Sequence, residues 1–121
     1  MTLELARAAG EGGIRASSEN AERRSPGITD VMYAFLVKFA LRSKRSDRFT
    51  AEAITVEYGQ DGVFVQPPDM RSWGGVFQRA ARNGILEIAD YEGVRKLGHG
   101  VKGAKRYRSL VSSKRPTEVF A

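Results

Sequence analysis

The stretch Pro67-Pro68-Asp69-Met70-Arg71-Ser72-Trp73-Gly74-Gly75-Val76-Phe77-Gln78-Arg79-Ala80-Ala81-Arg82-Asn83-Gly84 constrains the fold of this chain more than any other. Two prolines stop a helix from entering upstream, and Asp69 can cap a new one by accepting a hydrogen bond from an unpaired backbone N–H. Gly84 closes it, because a left-handed residue after a helix costs glycine no Cβ clash. The spacing therefore predicts a helix over 69–83. At about 100° per residue, Trp73, Val76, Phe77 and Ala80 share one face, and Arg71, Gln78, Arg79 and Arg82 lie opposite with Gly75. Such a helix rests its apolar face on a core and presents guanidinium and amide groups outward, where they can read base edges or grip phosphates. The plainer alternative is a solvated arginine face. Trp73 falls on the core side, and Gly74-Gly75 asks for a close neighbour, either another helix or a nucleic-acid backbone.

The elements before it read as helices. Residues 1–27 are polar and form an N-terminal extension, flexible or helical from about 13 to 24, broken by Pro26-Gly27. Ile28 to Arg42 predicts a helix capped by Thr29 or Asp30. From Val31 to Leu41 only Lys38 is polar, so nearly the whole circumference asks for burial, inside the domain or against a second copy of the chain. A charged loop, 42–48, leads to Phe49 as a core anchor. Thr50 is placed to cap a helix from Ala51 to Tyr58 that stops at Gly59. Gln60-Asp61-Gly62 makes a turn, and Val63-Phe64-Val65 is a short strand or a buried loop. Helices 51–58 and 69–83 together read as a helix-turn-helix with a long turn.

After Gly84 the pattern alternates, predicting strands over 85–91 and 105–111 joined by a glycine-rich loop, Val94 to Ala104. Residues 112–121 read as a tail. The expected fold is α+β: a winged helix-turn-helix over 28–111, with three core helices and a two-stranded β-hairpin wing. Charge is concentrated near its end. The chain carries a net +6, and residues 95–121 hold eight basic side chains against Glu118 alone. Arg95, Lys96, His99, Lys102, Lys105, Arg106 and Arg108 crowd the hairpin with no acid among them. Cations on a glycine-rich loop can approach a phosphate backbone and release its counterions.

Other chemistry finds little support. There is no cysteine and His99 is the only histidine, so neither a disulfide framework, a thiolate site nor a metal centre is expected. Gly98 to Lys105 lacks the Gly-Lys-Ser/Thr and the following helix of a phosphate loop. No serine has a base held by a third group, and Asp90/Glu92 reads as a solvated pair. No enzyme activity and no cofactor are expected. No stretch is long and apolar enough to span a membrane, and no secretion signal is evident, which predicts a cytoplasmic protein.

The residues Gly13-Ile14, Asn20-Ala21, Phe49-Thr50-Ala51-Glu52 and above all Pro67-Pro68-Asp69-x-Arg71-x-Trp73-Gly74-x-Val76-Phe77-x-Arg79-Ala80-x-x-x-Gly84-Ile85 resemble a group of small winged-helix proteins of phages and prophages. The resemblance covers about residues 13–110 and implies a winged helix-turn-helix that binds DNA. It departs at the wing: those relatives commonly close the hairpin with a tryptophan and carry a shorter, less basic tip, where this chain has Tyr107 and an elongated one. The expectation is a non-enzymatic protein binding double-stranded DNA through helix 69–83 and the wing 95–108. Its candidate contacts are Arg71, Gln78, Arg79, Arg82, Arg95, Lys96, His99, Lys102, Lys105 and Arg106. The competing expectation is a protein-interaction adaptor or inhibitor of a host system, using the winged surface or helix 31–41, which is also the candidate homodimer contact.

Overall fold

Gly27 adopts a left-handed conformation (φ 84°) and turns the chain between two helices, α1 (residues 15–24) and α2 (Ile28–Arg42). The structure, a computed structural model, describes residues 15–60, 62–96 and 100–112. Neither Thr29 nor Asp30 caps α2. Glu22 of α1 reaches across the turn and accepts from the backbone N–H groups of Gly27 (2.8 Å) and Thr29 (3.0 Å) and from the Thr29 hydroxyl. The positive end of a helix favours a carboxylate there. The Thr29 hydroxyl above all, then the two N–H groups, hold the Glu22 carboxyl below its usual pKa.

α2 buries Ile28, Met32, Leu36 and Ala40, one stripe at i, i+4 spacing. Val31, Ala34, Lys38 and Leu41 are exposed. The full burial expected of this helix is therefore not found, because its neighbours cover only one side.

Phe49–Thr50 forms a two-residue strand, β1, that runs without a gap into α3 (Ala51–Gln60). α3 continues past the expected stop at Tyr58, and Thr50 belongs to the strand. Val63 and Val65 are 75% and 62% exposed, so their segment is neither strand nor buried loop. Only Phe64 tucks in, stacked on Tyr58 at 4.8 Å, and the Tyr58 hydroxyl donates to the Val65 carbonyl (2.9 Å) to pin the loop.

α4 (Ser72–Arg82) starts later than the expected residue 69. Before it lies a tight turn in which the N–H groups of Ser72, Trp73 and Gly74 bond back to the carbonyls of Asp69, Met70 and Arg71. The Asp69 carboxylate accepts from the Arg71 backbone N–H (2.9 Å), so it caps this turn and not the helix. At the other end Gly84 is left-handed (φ 70°), with the N–H of Ile85 bonded to Ala80 O and that of Gly84 to Ala81 O. These two bonds make the Schellman closure.

Strands β2 (Leu86–Arg95) and β3 (Val101–Ser109) pair antiparallel, and β1 adds to the other edge of β3, giving the order β1-β3-β2. The sheet thus has three strands where two were expected. The strands also extend well into the segment 94–104 read as loop. Three register irregularities between Ile88 and Val94 break the alternation that would have revealed them. Gly93 is required by packing: a Cβ there would lie 2.8 Å from Ala104 O and 2.8 Å from Thr50 Cγ2.

The core joins all these elements. Leu36, Ile54, Tyr58, Trp73, Phe77 and Leu86 lie at its centre, with Tyr58 edge-on to Trp73 at 5.0 Å. α1 contributes buried Ala21, and the Ser72 hydroxyl donates to the Ser17 carbonyl (3.0 Å). Ser109 donates to Ala40 O (2.7 Å) and Ser112 to Ser43 O, fastening the end of the hairpin to α2 and its following loop. The described chain is thus an α+β unit of four helices and one antiparallel sheet, and it includes α1 and Ser112 as well as 28–111. Residues 1–14, Asp61 and the expected tail from 113 lie outside the described residues.

Candidate functional site

Alternation along β3 decides which hairpin side chains can meet α4. Tyr107 pairs with Phe49 on one side and Ile88 on the other, and its ring lies 5.0 Å from that of Phe77 in α4. Lys105, two residues away, shares that inner face, whereas Arg106 and Arg108 lie on the outer one.

Between the inner face of the sheet, one flank of α4 and the first turns of α3 is a cleft of about 760 Å³. Trp73, Phe77 and Tyr107 line its depth, with Met70 and Ile88 beside them. Gly74 and Ala81, which carry little or no side chain, keep the α4 wall low. Gln78 of α4 and Arg95 and Lys105 of the hairpin stand around it, and Glu52 and Thr55 of α3 line the opposite wall. Gln78, Arg95 and Lys105 are exposed, and among the described residues none of their three side chains has a hydrogen-bond or ion-pair partner. Trp73 is buried, as its place on the core face predicts, but its indole Nε1 has no acceptor among the described residues. A buried donor in that position costs about 1–3 kcal/mol.

The remaining candidates divide. Arg82 and Lys102 are exposed and have no partner among the described residues. Lys96 lines a second cleft of about 420 Å³, with Val94 of β2 and Val56, Glu57 and Gln60 of α3. His99 lies outside the described residues. Three arginines depart from the expected outward presentation. Arg79 bonds Asp30 of α2 (2.8 Å) and lies 3.9 Å over the Tyr33 ring, while Asn83 donates to the Tyr33 hydroxyl (2.9 Å). It braces two helices, because its position borders the α2 side of α4.

Arg71 folds back on Asp69 through Nε (3.0 Å) and Nη2 (2.7 Å), which lowers the Asp69 pKa and raises that of Arg71. Its side chain stays largely exposed. Arg106 is held bidentately by Asp90 (both 2.7 Å) and touches Glu92 (3.2 Å). The Arg106 guanidinium, then the Glu92 backbone N–H, hold the Asp90 carboxyl at about 2, below the usual 3.8. Asp90 and Glu92, read as a solvated pair, are therefore the counter-ions of Arg106.

The cleft as such escaped sequence reasoning, since four separate stretches line it. Its one visible trace was Gly74-Gly75: Gly74 sits in the cleft wall, on the same flank as Gln78 and Ala81. Among the described residues, no group of three or more His, Asp or Glu side chains is placed to hold a metal ion, and no helix is long and apolar enough to cross a membrane.

Fold and site together define a small α+β domain whose cations gather beside a helix–hairpin cleft. In comparison with known proteins, the chain matches no family model, no curated protein and no solved structure.

Proposed function

We propose that the chain is a non-enzymatic DNA-binding protein of the winged helix-turn-helix class, with α4 and the hairpin lying against duplex DNA. The element order supports this reading: α2, β1, α3, α4, β2, β3, with β3 between the other two strands, is the arrangement in which a wing flanks a recognition helix. The observation that carries it is the gathering of Arg95 and Lys105, with Gln78, around one cleft, with no carboxylate among the described residues engaging either cation. Cations left together without counter-ions attract a polyanion. Arg82 and Lys102 take phosphates on either side, and Lys96 extends the positive surface along the hairpin. Arg71 joins only by exchanging Asp69 for a phosphate. Arg79 and Arg106 belong to the scaffold. The likeness of the Pro67–Ile85 motif to small phage and prophage winged-helix proteins fits this reading and a place in the bacterial cytoplasm.

The test is a fluorescence-anisotropy titration of duplex DNA across salt concentrations. Arg82→Ala and Lys102→Ala should each weaken binding and reduce the slope of log affinity against log salt by about 1. Unchanged affinity and slope would count against the interface. The exposed apolar residues of α2, Val31, Ala34 and Leu41, favour a second reading, a protein adaptor or a homodimer joined through this helix. A chain that ignores DNA at low salt, yet scatters light as a dimer or holds one stoichiometric partner, would replace the first reading with the second.

A further inference from the structure

A duplex lying across α4 and the hairpin uses the polar rim of the 760 Å³ cleft and leaves its apolar interior unexplained. Met70 and Ile88 are 54% and 41% exposed there, beside Trp73, Phe77 and Tyr107. A sugar–phosphate backbone gains nothing from such a surface. The volume falls in the range of sites for single small ligands, about 300–1,000 Å³, so a double helix can cover the opening but not fill it.

A base that has left its stack is the part of a nucleic acid that suits this interior, since every base has a flat face that packs on aromatic and apolar groups. Gln78 stands at the rim with its amide donor and acceptor unpaired among the described residues, the pair that reads a base edge. Arg95 and Lys105 offer charge to the phosphates on either side of such a nucleotide. An acidic amphipathic peptide would also satisfy two cations and an apolar floor. The cleft, however, has the volume of a site for a single small ligand, which one base suits and the length of an amphipathic helix does not.

We infer that the cleft receives one unpaired nucleotide, so that the preferred ligand is DNA carrying an extruded or overhanging base rather than an uninterrupted duplex. The inference rests on the nucleic-acid reading above. It assigns the interior of the cleft to the base, Gln78 to the base edge, and Arg95 and Lys105 to its flanking phosphates.

Trp73 is the sole tryptophan of the chain and lines the cleft, so its emission reports occupancy. The full chain is titrated at low salt with a short duplex, the same duplex with one unpaired adenine, and the same with an abasic residue at that point. The unpaired adenine should bind about tenfold tighter than the intact duplex, the abasic form should lose that gain, and only the adenine should change Trp73 emission. Ala81→Phe, which fills the opening from an exposed position on α4, should abolish the preference, read as the ratio of the unpaired-adenine affinity to the intact-duplex affinity of the same variant. Equal binding of all three probes overturns the inference and leaves the duplex reading standing; binding of none overturns both. If free deoxyadenosine monophosphate changes Trp73 emission and the three duplexes bind alike, the ligand is a mononucleotide and the inference fails. If a helical Leu/Glu peptide binds more tightly than the unpaired-adenine duplex, the cleft is a protein-docking site and the inference also fails.

Discussion

On the outer face of the β2–β3 hairpin, Arg106 is clasped by Asp90 and Glu92, and Arg108 by Glu87. On the inner face, one residue away along β3, Lys105 has no such partner among the described residues, and neither has Arg95 on the neighbouring strand. The difference comes from register. Ile88 pairs with Tyr107 and Asp90 with Arg106, so Ala89 is the extra residue of a bulge. With regular pairing Asp90 would oppose Lys105 and neutralise it. The bulge turns Asp90 to the outer face and leaves the inner face, toward α4, without a hairpin carboxylate. The basic run therefore contains two contrasting pairs: Arg106 and Arg108 hold the hairpin together, and Arg95 and Lys105 face the cleft.

The largest effect should come from removing the aromatic support of the inner face. Phe77 is buried and touches Tyr107, and Phe77→Ala should lower unfolding free energy by about 3–4 kcal/mol in urea denaturation. A loss under about 1 kcal/mol would mean that the inner face does not depend on α4. Next, Gly93→Ala forces a methyl against Ala104 O and Thr50 Cγ2, both at 2.8 Å. It should cost about 1–3 kcal/mol and disturb the register that sorts the cations, visible as shifted amide resonances in both strands.

Smaller effects are expected from the outer ion pairs. Asp90 should titrate near 2 by carboxyl NMR, and Arg106→Gln should return it toward 3.8. Because the folded-state value is depressed, this contribution to stability is complete above about pH 4 and disappears as pH falls through about 2. The Arg106→Gln variant should lack that part of the acid-induced loss. Least of all, Arg108→Gln removes a half-exposed pair and should change stability by no more than about 0.5 kcal/mol.

Much of the fold was legible where periodicity is strong and ends are marked. The Trp73-Val76-Phe77-Ala80 stripe and Gly84 located α4 and its closure, and the apolar run from Ile28 located α2. The start of α4 was misplaced because Asp69 serves a turn before the helix, which no spacing rule separates from a cap. β1 is only Phe49-Thr50, too short to show a period, and it exists because β3 offers an open edge. The bulges near Ala89 and at Gly93 hid the length of the hairpin by breaking its alternation.

At the site, residue type was readable but pairing was not. Arg79 and Gln78 are neighbours on one exposed helix side in the sequence pattern, yet Arg79 finds Asp30 and Tyr33 on α2 while Gln78 borders the cleft. Asp30 lies 49 residues away, and only the packing of α2 on α4 brings it near.

The central claim is that Lys105 on the inner face, and not the carboxylate-bound arginines of the outer face, meets DNA. The most direct test is the salt dependence of duplex binding for Lys105→Gln beside Arg108→Gln, two changes that remove one positive charge each. The account predicts that Lys105→Gln weakens binding and flattens the salt slope by about 1, while Arg108→Gln leaves the slope at its wild-type value. Equal losses from the two variants, or a larger one from Arg108→Gln, would contradict it.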